Sequence, residues 1–141
     1  MPSHEEAAAE RHARGYNCAQ AVACSFADEL GMDEASLFRA AEGLGLGMGG
    51  MQATCGAVAG ACMVAGLLNS TGDLDHPNSK ASTYRLSRQI VERFGEANGS
   101  TTCCELKGVG TGTVLAPCTK CVSDAVRIAE DVLREARTRQ A

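Results

Sequence analysis

The sequence predicts an all-α fold, a small single-domain bundle of about five helices with a glycine-rich loop. Apolar residues recur at spacings of three and four in several segments, which is the period of one helical face. No segment of useful length shows the alternation of apolar and polar residues that indicates a strand. The chain has 141 residues, enough for one domain with a substantial core. Residues 1–141 are therefore predicted to form one all-α, cysteine-rich domain.

The N-terminal half is predicted to hold two helices and a loop. The first helix presents one apolar face, made of Tyr16, Ala19, Ala23, Phe26 and Leu30. Gly31 is placed to end this helix, and Asp33 can cap a short second helix that continues to Ala41. Residues 43–50, with the sequence GLGLGMGG, break the helical pattern. We interpret them as a loop, because glycine reaches backbone angles that other residues avoid.

The C-terminal half is predicted to hold three more helices. A helix rich in small residues covers about residues 54–68, and a polar turn, NSTGDLDHPNS, follows it. The next helix covers about residues 80–94. After a loop at residues 108–117, the last helix presents an apolar face made of Val122, Val126, Ala129, Val132 and Leu133.

Composition argues against several functional classes. The formal net charge of −4 and the absence of a basic stripe argue against nucleic-acid binding. The chain has no Trp, two Tyr and three Phe. So few aromatic side chains disfavour a surface on which bases or sugars could stack. The N-terminus lacks the apolar region of a signal peptide. The longest uncharged run, residues 43–72, is too diluted by glycine to predict a membrane span. We expect a cytoplasmic protein.

The unusual feature of the composition is the number of cysteines, which is eight. In a protein that is not exported, metal binding or redox chemistry is a better interpretation than a disulfide framework. The thiols lie in predicted helices, at helix starts and in a turn: Cys18, Cys24, Cys55, Cys62, Cys103, Cys104, Cys118 and Cys121.

Two cysteines, Cys55 and Cys118, are predicted to lie at the starts of helices. Free backbone N–H groups and the helix dipole favour a thiolate there and lower the cysteine pKa from its reference of about 8.5. A thiolate is the form that binds a metal or attacks a disulfide. Burial acts in the opposite direction, and the balance of the two effects is open at the level of sequence.

Cys24 and Cys62 are predicted to be ordinary core residues, since free cysteine is among the most buried residue types. The single C-x-x-C of Cys118 and Cys121 lacks the βαβ context of thioredoxin, the second pair of a zinc ribbon and the histidine of c-type haem attachment. The three histidines are predicted to be surface residues rather than ligands: His4, His12 and His76. The glycine-rich run lacks the Lys and Ser/Thr of a P-loop.

The order of the cysteine motifs resembles a known family. GYNCAQAV, a glycine-rich approach to CGAVAG, GSTTCCELKG and a cysteine opening the last helix follow one another in the chain. From about Gly15 to Leu133, this order is similar to that of the C_GCAxxG_C_C family of redox-active proteins. The resemblance implies a redox role. A related module in split-Soret cytochromes is associated with an iron–sulfur site, which favours a cluster by analogy alone.

The resemblance also implies which cysteines act. The family positions fall on Cys18, Cys55, Cys103 and Cys118. This chain has Cys104 where relatives usually have a basic residue, and Cys121 is additional. Cys104 and Cys121 are therefore alternates for Cys103 and Cys118.

The small residues of CGAVAG suggest how the thiols meet. Gly56 and Gly60 form a small-x-x-x-small pair that lets another helix approach closely and leaves room around Cys55. If the helices that carry Cys18, Cys55 and Cys118 converge, three thiolates can meet with Cys103 from the preceding loop. Four thiolates suit zinc or an iron–sulfur cluster equally well.

Three functional hypotheses follow from these observations. The first is an iron–sulfur cluster on Cys18, Cys55, Cys103 and Cys118 that carries electrons. The second is a metal-free thiol–disulfide protein in which the same four cysteines are redox-active. With Cys121 as an alternate, the pairs could be Cys18/Cys55 or Cys118/Cys121. The third is a structural zinc site in a helical partner-binding module. The chain is thus expected to be an oxidoreductase or an electron-transfer protein with a redox partner protein, and its Ala- and Gly-rich face could serve a homodimer.

Overall fold

The computed structural model describes residues 2–140, and that part of the chain contains eight α-helices and no β-strand. The all-α prediction is confirmed, whereas the predicted number of about five helices is wrong. The helices are α1 (His4–Ala13), α2 (Cys18–Cys24), α3 (Ala27–Leu30), α4 (Glu34–Glu42), α5 (Gly56–Asn69), α6 (Lys80–Asn98), α7 (Cys103–Lys107) and α8 (Cys118–Gln140).

The first predicted helix is in fact two helices, α2 and α3. Phe26 leaves the helical region, with φ −102° and ψ 7°, and separates them. The start also differs from the prediction, because Asn17 caps α2 and makes Cys18 its first residue. The Asn17 side chain accepts from the Gln20 N–H, and the Gln20 side chain accepts in return from the Asn17 N–H.

Helix α1 was not predicted, because it has almost no apolar periodicity. It buries only two small residues, Ala7 and Ala8. A signal for it is nevertheless present in the sequence, since Ser3 is followed three residues later by Glu6. The Ser3 hydroxyl accepts a hydrogen bond from the Glu6 N–H at 3.0 Å, which caps the helix.

The predicted glycine-rich loop contains an unusual turn. Residues Gly47–Met51 form a single π-type turn, and four consecutive residues, from Leu46 to Gly49, have left-handed backbone angles. Gly47, with φ 57°, is required here, because a Cβ atom at this position would lie 2.6 Å from the Cβ of Cys103. The turn therefore brings the backbone into direct contact with one of the family cysteines.

Helix α5 is the element around which the core is built, since it packs against α2, α6 and α8. Its contact with α2 depends on Gly60, where a Cβ atom would lie 2.7 Å from the carbonyl oxygen of Ala19. The predicted close helix approach is thus present, and it is made within the chain. Because α2 covers this glycine face, a homodimer would have to use another surface.

Two further features concern the surface. The predicted polar turn is found between α5 and α6, where its side chains are largely exposed. Among residues 2–140, no helix is long and apolar enough to cross a membrane.

Candidate functional site

Three cysteines stand at the starts of helices, each for a local reason. Cys18 follows the Asn17 cap of α2, and Cys55 is itself the cap residue of α5. Cys118 is the first residue of α8, which follows Pro117. Pro117 accepts the Cys121 N–H through its carbonyl oxygen at 3.0 Å. Three thiols therefore lie at helix N-termini, where the first backbone N–H groups have no partner within the helix.

A short antiparallel bridge brings a fourth thiol to Cys55. The Cys55 N–H donates to the carbonyl of Thr101 at 2.7 Å, and the Cys103 N–H donates to the carbonyl of Ala53 at 3.0 Å. Thr54 and Thr102 face each other at the centre of this bridge. The two segments are far apart in sequence, and their pairing holds Cys55 and Cys103 on neighbouring strands of backbone.

The thiols that result line one cavity of about 190 Å³. Its wall carries five cysteines: Cys18, Cys55, Cys103, Cys118 and Cys121. The rest of the wall is mostly apolar, except for His12, Asn17 and Lys107. The four cysteines predicted from the resemblance to act thus share one space with the predicted alternate Cys121. A larger groove of about 480 Å³ lies between α1 and α8, but no thiol lines it.

Cys55 and Cys121 both line this cavity and are only 5% and 3% exposed. The Cys121 thiol donates to the carbonyl of Ala116 at 3.8 Å. Hydrogen bonding with the Cys121 thiol is the main cause that lowers the pKa of Cys55, to about 7, against the opposing effect of burial. The amides of Ala57 and Val58 act in the same direction. No side-chain hydrogen bond caps α5, so we attribute their effect to the dipole of the helix end. The same pairing raises the pKa of Cys121, so Cys55 is the more acidic thiol.

Cys18 and Cys118 form a second pair, and both are half-buried. Burial is the main cause that raises the pKa of Cys18, followed by the charge of Cys118 and of Cys55 and by hydrogen bonding with Cys118. Two polar side chains flank this pair. The Lys107 ammonium donates to Cys118 Sγ at 3.3 Å, and His12 Nε2 lies 3.9 Å from Cys18 Sγ.

The remaining cysteines differ in their surroundings. Cys103 lines the cavity, and burial raises its pKa. Its neighbour Cys104 is half-buried and lies off the cavity wall. Cys24 and Cys62 also lie off the wall, and Cys24 is 1% exposed, as a core residue should be. Burial raises the pKa of both, that of Cys24 to about 11.

Two polar residues of the cavity were not predicted. Lys107 lies in the last turn of α7, four residues after Cys103, a spacing that places both on one side of a helix. His12, predicted to be a surface residue, is half-buried beside Cys18 because α1, which was not predicted, carries it there. His76 is exposed, as predicted, whereas His4 is half-buried and pairs with Glu130 at 2.7 Å.

The type of side chain in the cavity favours a bound metal, but the positions of these side chains do not. Several thiolates around one cavity are the ligands that zinc and iron–sulfur clusters prefer. Within residues 2–140, however, no three Cys, His, Asp or Glu side chains are grouped so that they could hold one metal ion.

Comparison with known proteins supplies the family. Residues 16–132 match the family described as "putative redox-active protein (C_GCAxxG_C_C)". The chain belongs to this family. The C_GCAxxG_C_C match begins just before α2 and ends within α8, so it includes every cysteine of the cavity. No curated protein and no solved structure is detectably similar to the chain.

Proposed function

We propose that this chain is a thiol–disulfide redox protein whose active dithiol is Cys55 with Cys121. The observation that carries the proposal is that both thiols are buried on the wall of one cavity, with Cys55 at the start of α5. Hydrogen bonding with Cys121 lowers the pKa of Cys55 to about 7. A thiol with this pKa is largely ionised near neutral pH, and the thiolate is the form that attacks a disulfide. The match to a redox-active family supports the same reaction class.

The proposed reaction is exchange with a disulfide of a partner. The two thiols of the protein become one disulfide and give up two electrons and two protons. The partner's disulfide accepts them and becomes two thiols. The reverse reaction reduces the protein, so the direction depends on the relative reduction potentials of the two molecules. Lys107 supports the reaction because its positive charge favours thiolates in the cavity.

Mild oxidation and peptide mapping test this proposal. Reduced protein treated with diamide should form a Cys55–Cys121 disulfide that dithiothreitol reopens, while Cys24 and Cys62 stay as free thiols. The matched variants are Cys55→Ser and Cys62→Ser, both on or beside α5. Only Cys55→Ser should abolish this disulfide. Pairing scattered over all eight cysteines would contradict the proposal.

An iron–sulfur cluster for electron transfer is a second candidate. The observation in its favour is that the four cysteines at family positions line one cavity: Cys18, Cys55, Cys103 and Cys118. These residues would hold the cluster through their thiolates, and the cluster would supply one-electron chemistry. The thiols would have to move from their paired arrangement, since none of the described residues forms a group of three suited to one metal ion.

Analysis of protein purified without air separates the candidates. A bound cluster gives brown protein that contains iron and acid-labile sulfide and bleaches on reduction. Colourless protein with stoichiometric zinc would indicate the structural site. We expect colourless protein without bound metal, with eight titratable thiols after reduction.

A further inference from the structure

The two thiol pairs differ in their access to solvent. Cys55 and Cys121 are nearly fully buried, whereas Cys18 and Cys118 are half-buried. We name them the inner pair and the outer pair. Both pairs line the same cavity of about 190 Å³, and a disulfide on a partner protein meets the half-buried thiols before the nearly buried ones. Oxidation of the inner pair therefore requires disulfide exchange through thiols that are more exposed.

The C-x-x-C of α8 connects the two pairs. All four thiols line one cavity, and hydrogen bonding of Cys121 with Cys55 and of Cys18 with Cys118 raises the pKa of Cys121 and of Cys18. Cys118 and Cys121 are three residues apart in the first turn of one helix, so they are neighbours on its surface. The four thiols thus form a continuous series from Cys18 through Cys118 and Cys121 to Cys55.

We propose that the four thiols form a disulfide relay, in which the outer pair exchanges with a partner disulfide and passes the oxidation to the inner pair. This inference rests on the proposed function. It adds the order in which the thiols react and the number of disulfides that one chain can hold. A fully oxidised chain would hold two disulfides, Cys18–Cys118 and Cys55–Cys121, and would have given up four electrons. Thiol–disulfide exchange requires contact between sulfurs, and each step of the relay joins neighbours in the series.

The outer pair reacts first. Cys118, whose sulfur accepts a hydrogen bond from the Lys107 ammonium, loses its proton and attacks one sulfur of the partner's disulfide, and the other partner sulfur leaves as a thiolate. Cys18 then loses its proton and attacks Cys118 Sγ, and the second partner sulfur leaves. The protein now holds the Cys18–Cys118 disulfide, and the partner has gained two electrons and, from the two protein thiols, two protons.

Two internal exchanges then move the disulfide inward. Cys121 loses its proton and attacks Cys118 Sγ, which joins Cys118 to Cys121, and the Cys18 sulfur leaves as a thiolate and takes up a proton. The Cys55 thiolate attacks Cys121 Sγ and releases Cys118. No electron leaves the protein in these steps, because one disulfide breaks for each that forms. The outer pair is again reduced and can react with a second partner disulfide.

The test uses oxidised glutathione as the disulfide, with acid quenching, alkylation and mass mapping over time. In the wild-type chain the Cys18–Cys118 disulfide should form first and Cys55–Cys121 second, with four thiols consumed at the end point. The Cys118→Ser variant keeps the inner pair and places a residue that suits a helix start at position 118. Its inner disulfide should form at least tenfold more slowly than in the wild type. Cys104→Ser, which lies off the cavity wall, is the control and should follow the wild-type course.

The outcomes distinguish the relay from the proposed function. If Cys118→Ser forms the inner disulfide at the wild-type rate, the relay is wrong while the proposed function stands. If the wild-type chain forms no inner disulfide even with diamide, the proposed function fails. A Cys18→Ser variant gives an independent measurement, since it should end with one intramolecular disulfide per chain instead of two. A second intramolecular disulfide in that variant would also overturn the relay.

Discussion

Cys55 shows how far a single position could be predicted. Its place at a helix start and its small neighbours follow from the sequence, and both are present in the structure. Its place beside Cys121 in one cavity was not predicted, because the sequence gives no information on how α5 and α8 pack. The pairs named from the sequence were Cys55 with Cys18 and Cys118 with Cys121, and all four of these thiols line that cavity.

The pKa of Cys55 leads to a prediction about pH. Since the lowered pKa of about 7 belongs to an acid, the thiolate fraction falls as the pH drops below 7 and is nearly complete well above it. The rate of alkylation of Cys55 by iodoacetamide should therefore fall about tenfold per pH unit below 7 and level off above 8. Peptide mass mapping after timed quenching measures this rate for each cysteine separately.

Lys107 should contribute to this profile. Its charge is one of the causes that lower the pKa of Cys55, and it also contacts Cys118. In Lys107→Met the alkylation profile of Cys55 should move to higher pH, because the thiolate loses a favourable charge. Lys80→Met, at the exposed start of α6, removes the same charge and serves as the control. Identical profiles for the two variants would show that Lys107 has no part in activating the thiol.

Replacing Cys55 itself should separate chemistry from stability. Cys55→Ser should abolish the inner disulfide and leave the helical circular dichroism signal nearly unchanged, at a cost on the order of 1 kcal/mol. Cys62→Ser should lower the melting temperature at most and leave disulfide formation intact, because Cys62 lies off the cavity wall. Equal behaviour of the two variants would mean that Cys55 has no special role.

At the scale of elements, the predictable helices are those with apolar periodicity. Helices α5, α6 and α8 bury continuous apolar faces and were located within a few residues. Helices α1 and α7 are short or polar, so their formation depends on caps and on contacts with the rest of the chain. For the same reason, two residues of the cavity could not be predicted: His12, which lies on α1, and Lys107, which lies on α7.

The contact between α2 and α5 gives a prediction at the same scale. A Cβ at position 60 would lie 2.7 Å from the carbonyl oxygen and 3.1 Å from the Cα of Ala19, and backbone atoms cannot move aside cheaply. Gly60→Ala should therefore destabilise the protein by about 1–3 kcal/mol in urea unfolding. It should also disturb the cavity, because Ala19 follows Cys18 directly.

The matched control lies on the same helix. A Cβ at Gly66 would meet only the methyl group of Thr83, at 3.9 Å, which is an ordinary contact. Gly66→Ala should be neutral or stabilise the protein by about 0.5–1 kcal/mol, since alanine favours a helix. A similar loss of stability in both variants would indicate that general crowding around α5, and not the approach to α2, explains the need for glycine.

At the scale of the whole molecule, the sequence predicted the fold class and the family. It did not predict how the helices and loops pack around the cavity. The family positions lie in four separate segments of the chain, and only the folded structure places them around one cavity. The pairing of segments 53–55 and 101–103 is an example. It is held by two backbone hydrogen bonds, which carry no side-chain pattern and so leave no signal in the sequence.

Oxidation should therefore change the stability of the entire fold. The inner disulfide would join the start of α5 to the first turn of α8 and close a loop of about 65 residues. Restricting the unfolded chain in this way is worth up to about 4 kcal/mol in the chain-entropy account. Oxidised protein should therefore melt at a higher temperature than reduced protein.

Thermal unfolding followed by circular dichroism, with diamide-treated and dithiothreitol-treated samples, measures the difference. Cys121→Ser cannot close the inner disulfide, so most of the rise in melting temperature should disappear in that variant. Cys104→Ser should keep the full rise. A wild-type chain that melts at a lower temperature after oxidation would mean that the disulfide distorts the fold. In that case the thiol contact between α5 and α8 would belong to the reduced state alone, and the inner pair could not serve as the end point of a relay.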